Sequence, residues 1–297
     1  MIIFGCGYVG RALAEAAVKG GCEVWIQSRN PASLEAVGGV AKGCRVVGNL
    51  HDRDWHGKLL GDWDYGVNLV SSAGGGLEGY RTSYLEGNRS IREWAGQRRV
   101  GRFLYTSATS VYPHSGGEWV EEEDVPDEAR LSSSGALLRQ SERELLESGV
   151  FGEAVVARLA GIYGPGRHLY LNSLCEGAPS IPGDGSGWLN LIYLKDIIGA
   201  LVRLLEFPME ERTAVFNVVD DEPSKKQDIV DWLAGELGVD TVPFDPSRQG
   251  ARAARRVSGG KLPNRRVSNR RLKETTAWAP VYPDFRSGYR DILGRNA

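Results

Sequence analysis

The sequence predicts an α/β fold: a doubly wound parallel sheet with helices on both faces, and a smaller C-terminal lobe partly interleaved with it. Short apolar runs alternate with helical patterns through the first 160 residues, and such alternation builds a parallel sheet because each crossover returns through a helix. The first run, Ile2-Ile3-Phe4, leads straight into Gly5-Cys6-Gly7-Tyr8-Val9-Gly10 and an amphipathic helix. Beyond Gly161 the pattern loosens into Gly/Pro-rich loops, at residues 161–166 and 182–187. The expected division is residues 1–160 for the sheet domain and 161–297 for the lobe.

Taken in order, the first element carries the most chemistry. In a strand-turn-helix unit, Gly5 permits the tight turn, Gly7 lets the backbone approach a pyrophosphate, and Gly10 lets the helix pack on the strand. Tyr8 and Val9 then open a helix whose N-H groups and dipole favour negative charge. A plain glycine turn is the bland alternative. Val9, Leu13, Ala17 and Val18 mark the helix face, and Gly20-Gly21 ends it. Further strands are expected at residues 23–27, 44–50, 65–70, 102–107 and 154–159, with long helices at 77–97 and 131–147. The second of these helices follows a polar, acidic loop at 113–127. In the lobe, helices are expected at 194–205 and 226–235 with a strand at 214–219 between them.

The chain has 297 residues, 41% of them hydrophobic and 25% charged, with a net charge of -2, so composition gives no overall bias toward nucleic acid or membrane. Cys6, Cys22, Cys44 and Cys175 form no CxxC pair. Neither a disulfide framework nor a metal site is expected. No apolar run approaches the roughly 18 residues that span a bilayer, and Met1 opens directly into the first strand, so the cytoplasm is the expected compartment. Between Pro246 and Lys273 stand ten basic residues and no acid, including Arg248, Arg252, Arg255, Arg256, Arg265, Arg266, Arg270 and Arg271. This density suits phosphate groups, nucleic acid or a solvated face. The segment lacks the interleaved aromatics that single-stranded nucleic acid uses for stacking, which disfavours that partner. Glu121-Glu122-Glu123-Asp124 reads as an exposed acidic loop, and His114 and His168 as exposed loop histidines.

An acid near the end of the second strand usually accepts hydrogen bonds from the ribose 2'-hydroxyl of NAD. Here the segment reads Trp25-Ile26-Gln27-Ser28-Arg29-Asn30. Ser28 and Arg29 suit a 2'-phosphate, so NADP(H) is favoured over NAD(H), with a solvated Arg29 as the alternative. Asn49 and Leu50, after the third strand, fall where such folds line the adenine. Ser71, after the fourth, completes the candidate cofactor-binding set.

Together with the glycine loop, Leu104-Tyr105-Thr106-Ser107-Ala108-Thr109-Ser110-Val111-Tyr112, Arg158-Leu159-Ala160-Gly161-Ile162-Tyr163-Gly164-Pro165-Gly166 and Phe216-Asn217-Val218-Val219-Asp220-Asp221-Glu222-Pro223 carry a resemblance. The chain resembles the extended short-chain dehydrogenase/reductase family, and within it the NAD(P)-dependent epimerase/dehydratase group, especially its atypical branch. Asn264-Arg265-Arg266-Val267-Ser268-Asn269 and Tyr282-Pro283 resemble that branch too. The resemblance implies a Rossmann domain and a proton-transfer unit of Tyr, a Lys four residues later, and a Ser or Thr. In that unit the Lys lowers the Tyr pKa and holds the nicotinamide ribose. Here those positions carry Ser134, Leu138 and Ala108, and residues 113–150 contain neither Tyr nor Lys. Leucine cannot lower a phenol's pKa. Tyr112, Tyr163 and Tyr193 are the substitute candidates, each with a packing role as its alternative.

The function expected is an NADP(H)-dependent oxidoreductase or epimerase-like protein with non-standard catalytic residues. Its substrate would be a polar small molecule, such as a sugar, phosphorylated or nucleotide-linked. The alternative is a catalytically silent NADP(H)-binding sensor or scaffold. No membrane partner is expected, and a homodimer stays open.

Overall fold

A computed structural model describes residues 1–72, 74, 76–125, 130–168, 170–248 and 261–294. Arg252, Arg255 and Arg256 of the basic segment lie outside the described residues. The elements run β1 (Ile2–Phe4), α1 (Tyr8–Lys19), β2 (Trp25–Ser28), α2 (Pro31–Glu35), β3 (Arg45–Val47) and β4 (Trp63–Asn68). Next come α3 (Gly76–Tyr80), a π-helical segment (Arg81–Glu86) and α4 (Gly87–Ala95), which lie within the span expected as one helix. β5 (Val100–Ala108), β6 (Trp119–Val120), α5 (Ser133–Leu146) and β7 (Glu153–Leu159) complete the first half.

The second half contains β8 (Gly161–Tyr163), α6 (Leu171–Cys175), β9 (Ile181–Pro182), β10 (Trp188–Leu189), β11 (Leu191–Tyr193), α7 (Leu194–Glu206) and β12 (Thr213–Val218). β13 (Ser224–Lys225), α8 (Lys226–Leu237), β14 (Phe244–Asp245), β15 (Arg266–Val267), α9 (Arg270–Thr276) and α10 (Phe285–Ile292) follow.

Seven strands form one parallel sheet in the order β12-β7-β5-β4-β1-β2-β3. β1 is wholly apolar and wholly buried, as a central parallel strand must be. The chain runs outward from β1 to β2 and β3, then crosses back to β4 on the other side of β1. This reversal is a topological switch point, where ligands bind beyond the carboxyl ends of the strands. The strand expected in the smaller lobe, β12, instead closes one edge of this sheet beside β7. Its buried Phe216 and Val218 supply the apolar surface that an edge position covers on one face.

The chain packs into two compact units. Unit 1 comprises Met1–Ala108, Ala136–Arg158 and Ile198–Phe216; unit 2 comprises Thr109–Gly135, Leu159–Ile197 and Asn217–Ala297. The sequence division at 160 leaves 109–135 on the first side and 198–216 on the second, whereas packing assigns each to the other unit. Unit 1 is built on an aromatic core: the Phe4 ring lies edge-on to Trp55 at 5.2 Å and to Trp94 at 5.5 Å. Both indoles donate to buried carbonyls, Trp55 to Leu50 and Trp94 to Leu59, so large rings are buried without an unmet N-H. Unit 2 carries the two-stranded ladders β8-β11, β10-β13, β9-β14 and β6-β15. Its core gathers Tyr163, Tyr193, Phe285 and Tyr289. No helix among the described residues is long and apolar enough to cross a membrane.

Candidate functional site

The candidate cofactor residues all fall in unit 1, at the carboxyl ends of β1 to β4. Backbone bonds hold these ends together: Gly5 N-H donates to Gln27 O at 2.8 Å, Leu69 N-H to Phe4 O at 2.8 Å, and Gly48 N-H to Ser28 O at 3.2 Å. The three loop glycines differ in what demands them. Gly5 has φ +96°, and a Cβ there would meet Val70 at 2.9 Å. A Cβ on Gly10 would lie 1.9 Å from the Gly5 carbonyl, so the helix approaches the strand too closely for any side chain. Gly7 is different, for a Cβ there would meet nothing within 4 Å. It borders open space and is also the N-cap of α1, with extended backbone and no side chain capping the helix. The first α1 bond runs from Arg11 N-H to Gly7 O, which leaves the N-H groups of Val9 and Gly10 without intrahelical partners. An open face over Gly7 beside uncapped N-H groups fits a pyrophosphate.

At the end of β2, Ser28 Oγ accepts from Asn30 N-H at 3.3 Å, and Asn30 Oδ1 caps α2 by accepting from Ala32 N-H at 3.1 Å. Asn30 is thereby committed to the turn. Arg29 between them is exposed and has no hydrogen bond or ion pair within the described residues. Asn49 is exposed and donates to Asp52 at 2.9 Å, while Leu50 is buried and Ser71 exposed. A groove of unit 1, about 570 Å³, lies at the opposite ends of β4, β5 and β7 beside Arg99, Arg102 and Arg212. Arg102 there is already paired with Glu153, and Arg212 donates to the Phe151 and Gly152 carbonyls. It is remote from the glycine loop by strand direction.

The positions that the resemblance assigned to proton transfer are apolar or locally engaged. Leu138 is 1% exposed. Ser134 lies 3.3 Å from Ser132, whose Oγ accepts from Gly135 N-H at 3.1 Å, as a helix-capping side chain does at the start of α5. The three substitute tyrosines sit in unit 2, each fully buried. Tyr112 donates to Asn217 Oδ1 at 2.8 Å, Tyr163 to the Asp284 carbonyl at 3.3 Å, and Tyr193 to Asp291 at 2.5 Å. Burial pushes the Tyr163 phenol well above its usual range. Each phenol oxygen is thus engaged by protein groups and enclosed by packing. Gly288 exists for the same reason, since a Cβ there would lie 2.0 Å from the Tyr163 hydroxyl.

Two further expectations change. Glu122, read as part of an exposed acidic loop, is 6% exposed, and its carboxylate accepts from Asn217 N-H at 2.7 Å. His114 and His168 are half-buried rather than exposed. The motif around Asn217 is a hub for unit 2: Asn217 also donates to Ser268 O, and Asn269 donates to the carbonyls of Val219 and Asp220. Sequence reasoning gave Asp220 no role beyond its place in the motif from Phe216 to Pro223. Asp220 is 2% exposed and neither carboxyl oxygen has a hydrogen-bond partner among the described residues. Burial, with Asp221, Asp284, Glu222 and Asp196 adding to it, pushes this carboxyl well above the usual range.

A doubly wound parallel sheet with an open glycine loop at its switch point defines a dinucleotide-binding α/β protein. The profile of the NAD dependent epimerase/dehydratase family matches residues 1–218, and the chain belongs to that family. Protein YeeZ of Escherichia coli strain K12 is 35% identical over 126 residues, 42% of this chain. That match spans 43% of YeeZ, less than half its length. A functionally unknown conserved protein from Silicibacter pomeroyi DSS has 26% identity and a TM-score of 0.76, covering 99% of this chain and 97% of its own. UDP-glucuronic acid 4-epimerase from Bacillus cereus, solved with UDP-glucuronic acid and NAD, superposes with a TM-score of 0.77 at 19% identity, over 99% of both chains. MoeE5, in complex with UDP-glucuronic acid and NAD, has a TM-score of 0.80 at 20% identity, over 97% of this chain and 95% of its own. At such identities the likeness to these two is one of fold.

Proposed function

We propose that this protein is an NADP(H)-dependent oxidoreductase or epimerase-like enzyme of the atypical extended short-chain dehydrogenase/reductase branch. Its substrate is a polar small molecule, sugar-derived and phosphorylated or nucleotide-linked. The observation that carries the cofactor choice is the unpaired, exposed guanidinium of Arg29 at the end of β2, where no carboxylate stands to repel a 2'-phosphate. Gly5, Gly7, Tyr8, Val9 and Gly10 would hold the pyrophosphate, Ser28 and Arg29 the 2'-phosphate, Asn49 and Leu50 the adenine, and Ser71 the far end of the cofactor. The nicotinamide supplies hydride acceptance and donation. The substrate class is supported by family membership and by the UDP-sugars that the structural neighbours bind. Substrate recognition is assigned to residues 161–297. The four free cysteines suit a reducing compartment, the cytoplasm.

A second reading has a specific observation behind it. With Leu138 buried and Ala108 and Ser134 in the other two positions, no group there sets a phenol's pKa, which favours a catalytically silent NADP(H) sensor or scaffold. Calorimetric titration with NADPH and NADH, then turnover assays across UDP-sugars and carbonyl compounds, separates the two. The enzyme reading expects cofactor to change redox state with at least one substrate. Tight NADP(H) binding with no turnover anywhere leaves the sensor. Equal affinities for the two cofactors would remove the NADP(H) assignment.

A further inference from the structure

Among the basic residues between Pro246 and Lys273, Arg266 is set in a surface that the cofactor reading does not use. In the parallel β6-β15 ladder Arg266 lies opposite Trp119, and in the antiparallel β10-β13 ladder Lys225 lies opposite Trp188. Each register therefore sets one cation beside one indole. Two asparagines join the ladders: Asn264 accepts from Trp188 N-H through Oδ1 and from Gly117 N-H through its carbonyl, both at 2.8 Å. Asn190 donates to Arg265 O at 3.0 Å and accepts from Val267 N-H at 2.7 Å.

The result is a cation-aromatic array within unit 2. The Arg266 guanidinium carbon lies 5.1 Å from the ring centres of both Trp119 and Trp188, and Lys225 Nζ lies 5.9 Å from Trp188. Arg266 Nε donates to Gly117 O at 2.9 Å, which fixes the plane of the guanidinium and leaves its two terminal nitrogens without a hydrogen-bond partner among the described residues. Gly117 has φ +82°, and a Cβ there would meet the Trp188 indole at 3.3 Å, so glycine is what lets the ring lie this close. Trp119 is 51% exposed, unusual for a residue of its size, and Lys225 is exposed without a hydrogen bond or ion pair among the described residues. Glu118, next to Trp119 in the chain, turns its carboxylate to Gly116 N-H at 2.7 Å. Among the described residues, no carboxylate forms an ion pair with either cation.

A guanidinium stacked on aromatic faces, bonded at Nε and free at its edge, is pre-organised for a bidentate oxyanion. Lys225 adds a second positive charge on the same array, and the exposed indole offers a flat apolar face beside both. We propose that Arg266 and Lys225, aligned on Trp119 and Trp188, form a second anion-binding surface that takes a phosphate group independently of the glycine loop. A free phosphoanhydride and a nucleotide share this chemistry, and they differ in whether a ring is present to lie on Trp119.

The test uses the full chain carrying Gly7→Val, which closes the glycine loop to pyrophosphate at a position where a side chain meets no protein atom. Inorganic pyrophosphate and UDP are titrated separately into it by calorimetry at low salt. Saturable one-to-one binding is expected, weakened about tenfold or more by Arg266→Gln and a few-fold by Lys225→Gln. UDP binding tighter than pyrophosphate, with the gap removed by Trp119→Leu, assigns a nucleotide. Equal affinities assign a phosphate group alone. Absence of saturable binding by either probe overturns the proposal, as does affinity unchanged in Arg266→Gln. Should Arg266→Gln fail to fold, unchanged affinity in both Lys225→Gln and Trp119→Leu has the same force. NADPH titration into the wild-type chain reads the cofactor assignment separately, so failure of one is distinguishable from failure of the other.

Discussion

The guanidinium of Arg158, on β7, meets the carboxylate of Glu142, on α5, through two hydrogen bonds, Nε to Oε1 at 3.1 Å and Nη2 to Oε2 at 2.8 Å. The side chains are 1% and 0% exposed. Helix α5 is thus pinned to the sheet by a buried ion pair one turn beyond Leu138. Removing one partner leaves an uncompensated buried charge. Glu142→Ala is expected to cost about 3–5 kcal/mol in urea denaturation. The double change Glu142→Leu with Arg158→Met should recover much of that loss, because no charge is then stranded. A single mutant as stable as wild type would mean the pair contributes nothing.

For the cofactor, Arg29→Ala should narrow the preference for NADP(H) over NAD(H) by about 1.5–3 kcal/mol, roughly tenfold to a hundredfold, through loss of a charge-assisted contact. Gly7→Val should abolish binding of both while leaving the fold intact, since its side chain enters open space. Gly10→Ala should act differently. Its Cβ would stand 1.9 Å from Gly5 O, so a lower melting temperature is expected along with lost binding. Calorimetry and thermal denaturation of the same three variants separate these effects.

Catalysis offers a third check. Ser134→Ala is expected to leave any cofactor-dependent turnover within a few-fold of wild type, whereas a working acid or base contributes about 10² to 10⁴-fold. Tyr112→Phe should cost about 1 kcal/mol of stability by stranding Asn217 Oδ1, with turnover unchanged. A hundredfold loss of turnover in a folded Ser134→Ala or Tyr112→Phe protein would restore that residue as a catalytic group.

The stability profile against pH should bend at both ends. Asp220 ionises more readily unfolded than folded, so it costs nothing below about pH 4 and increasingly penalises the folded state as pH rises above it. Asp220→Asn should therefore exceed wild type in stability at pH 8 and converge with it near pH 4. Lys273 pairs with Asp221 and Arg286 with Glu222, so those neighbours are partly offset while Asp220 is not. Glu144 works in the other direction: hydrogen bonds from Arg89, Gln140 and Arg92 hold its carboxyl down to about 2. Its contribution is present above about pH 4.5 and is lost as pH falls toward about 2. Denaturation midpoints measured from pH 3 to 8, roughly the span of these two groups, check both arms. A flat difference between Asp220→Asn and wild type across that range would rule out the Asp220 arm.

The order of residues by itself determined the parallel sheet and the glycine loop. Those features are local: an apolar run, a positive φ at Gly5 or a helix start at Tyr8 is settled within some ten residues. The five later strands expected in the first 160 residues fall within a few residues of β2, β3, β4, β5 and β7, because continuous apolar runs specify buried strands. Only the tertiary structure decided that β12 closes the sheet edge, since an apolar strand carries no mark of which neighbour it will meet. The same holds for Glu122, whose acidic neighbours suggest solvent but whose carboxylate is needed by Asn217 N-H. Two-residue ladders such as β6-β15 have no periodicity to read, and Trp119 and Arg266 become partners through long-range pairing alone. Burial of Asp220 and stacking of Arg266 are properties of what surrounds a residue, and the surroundings are assembled from segments far apart in the chain.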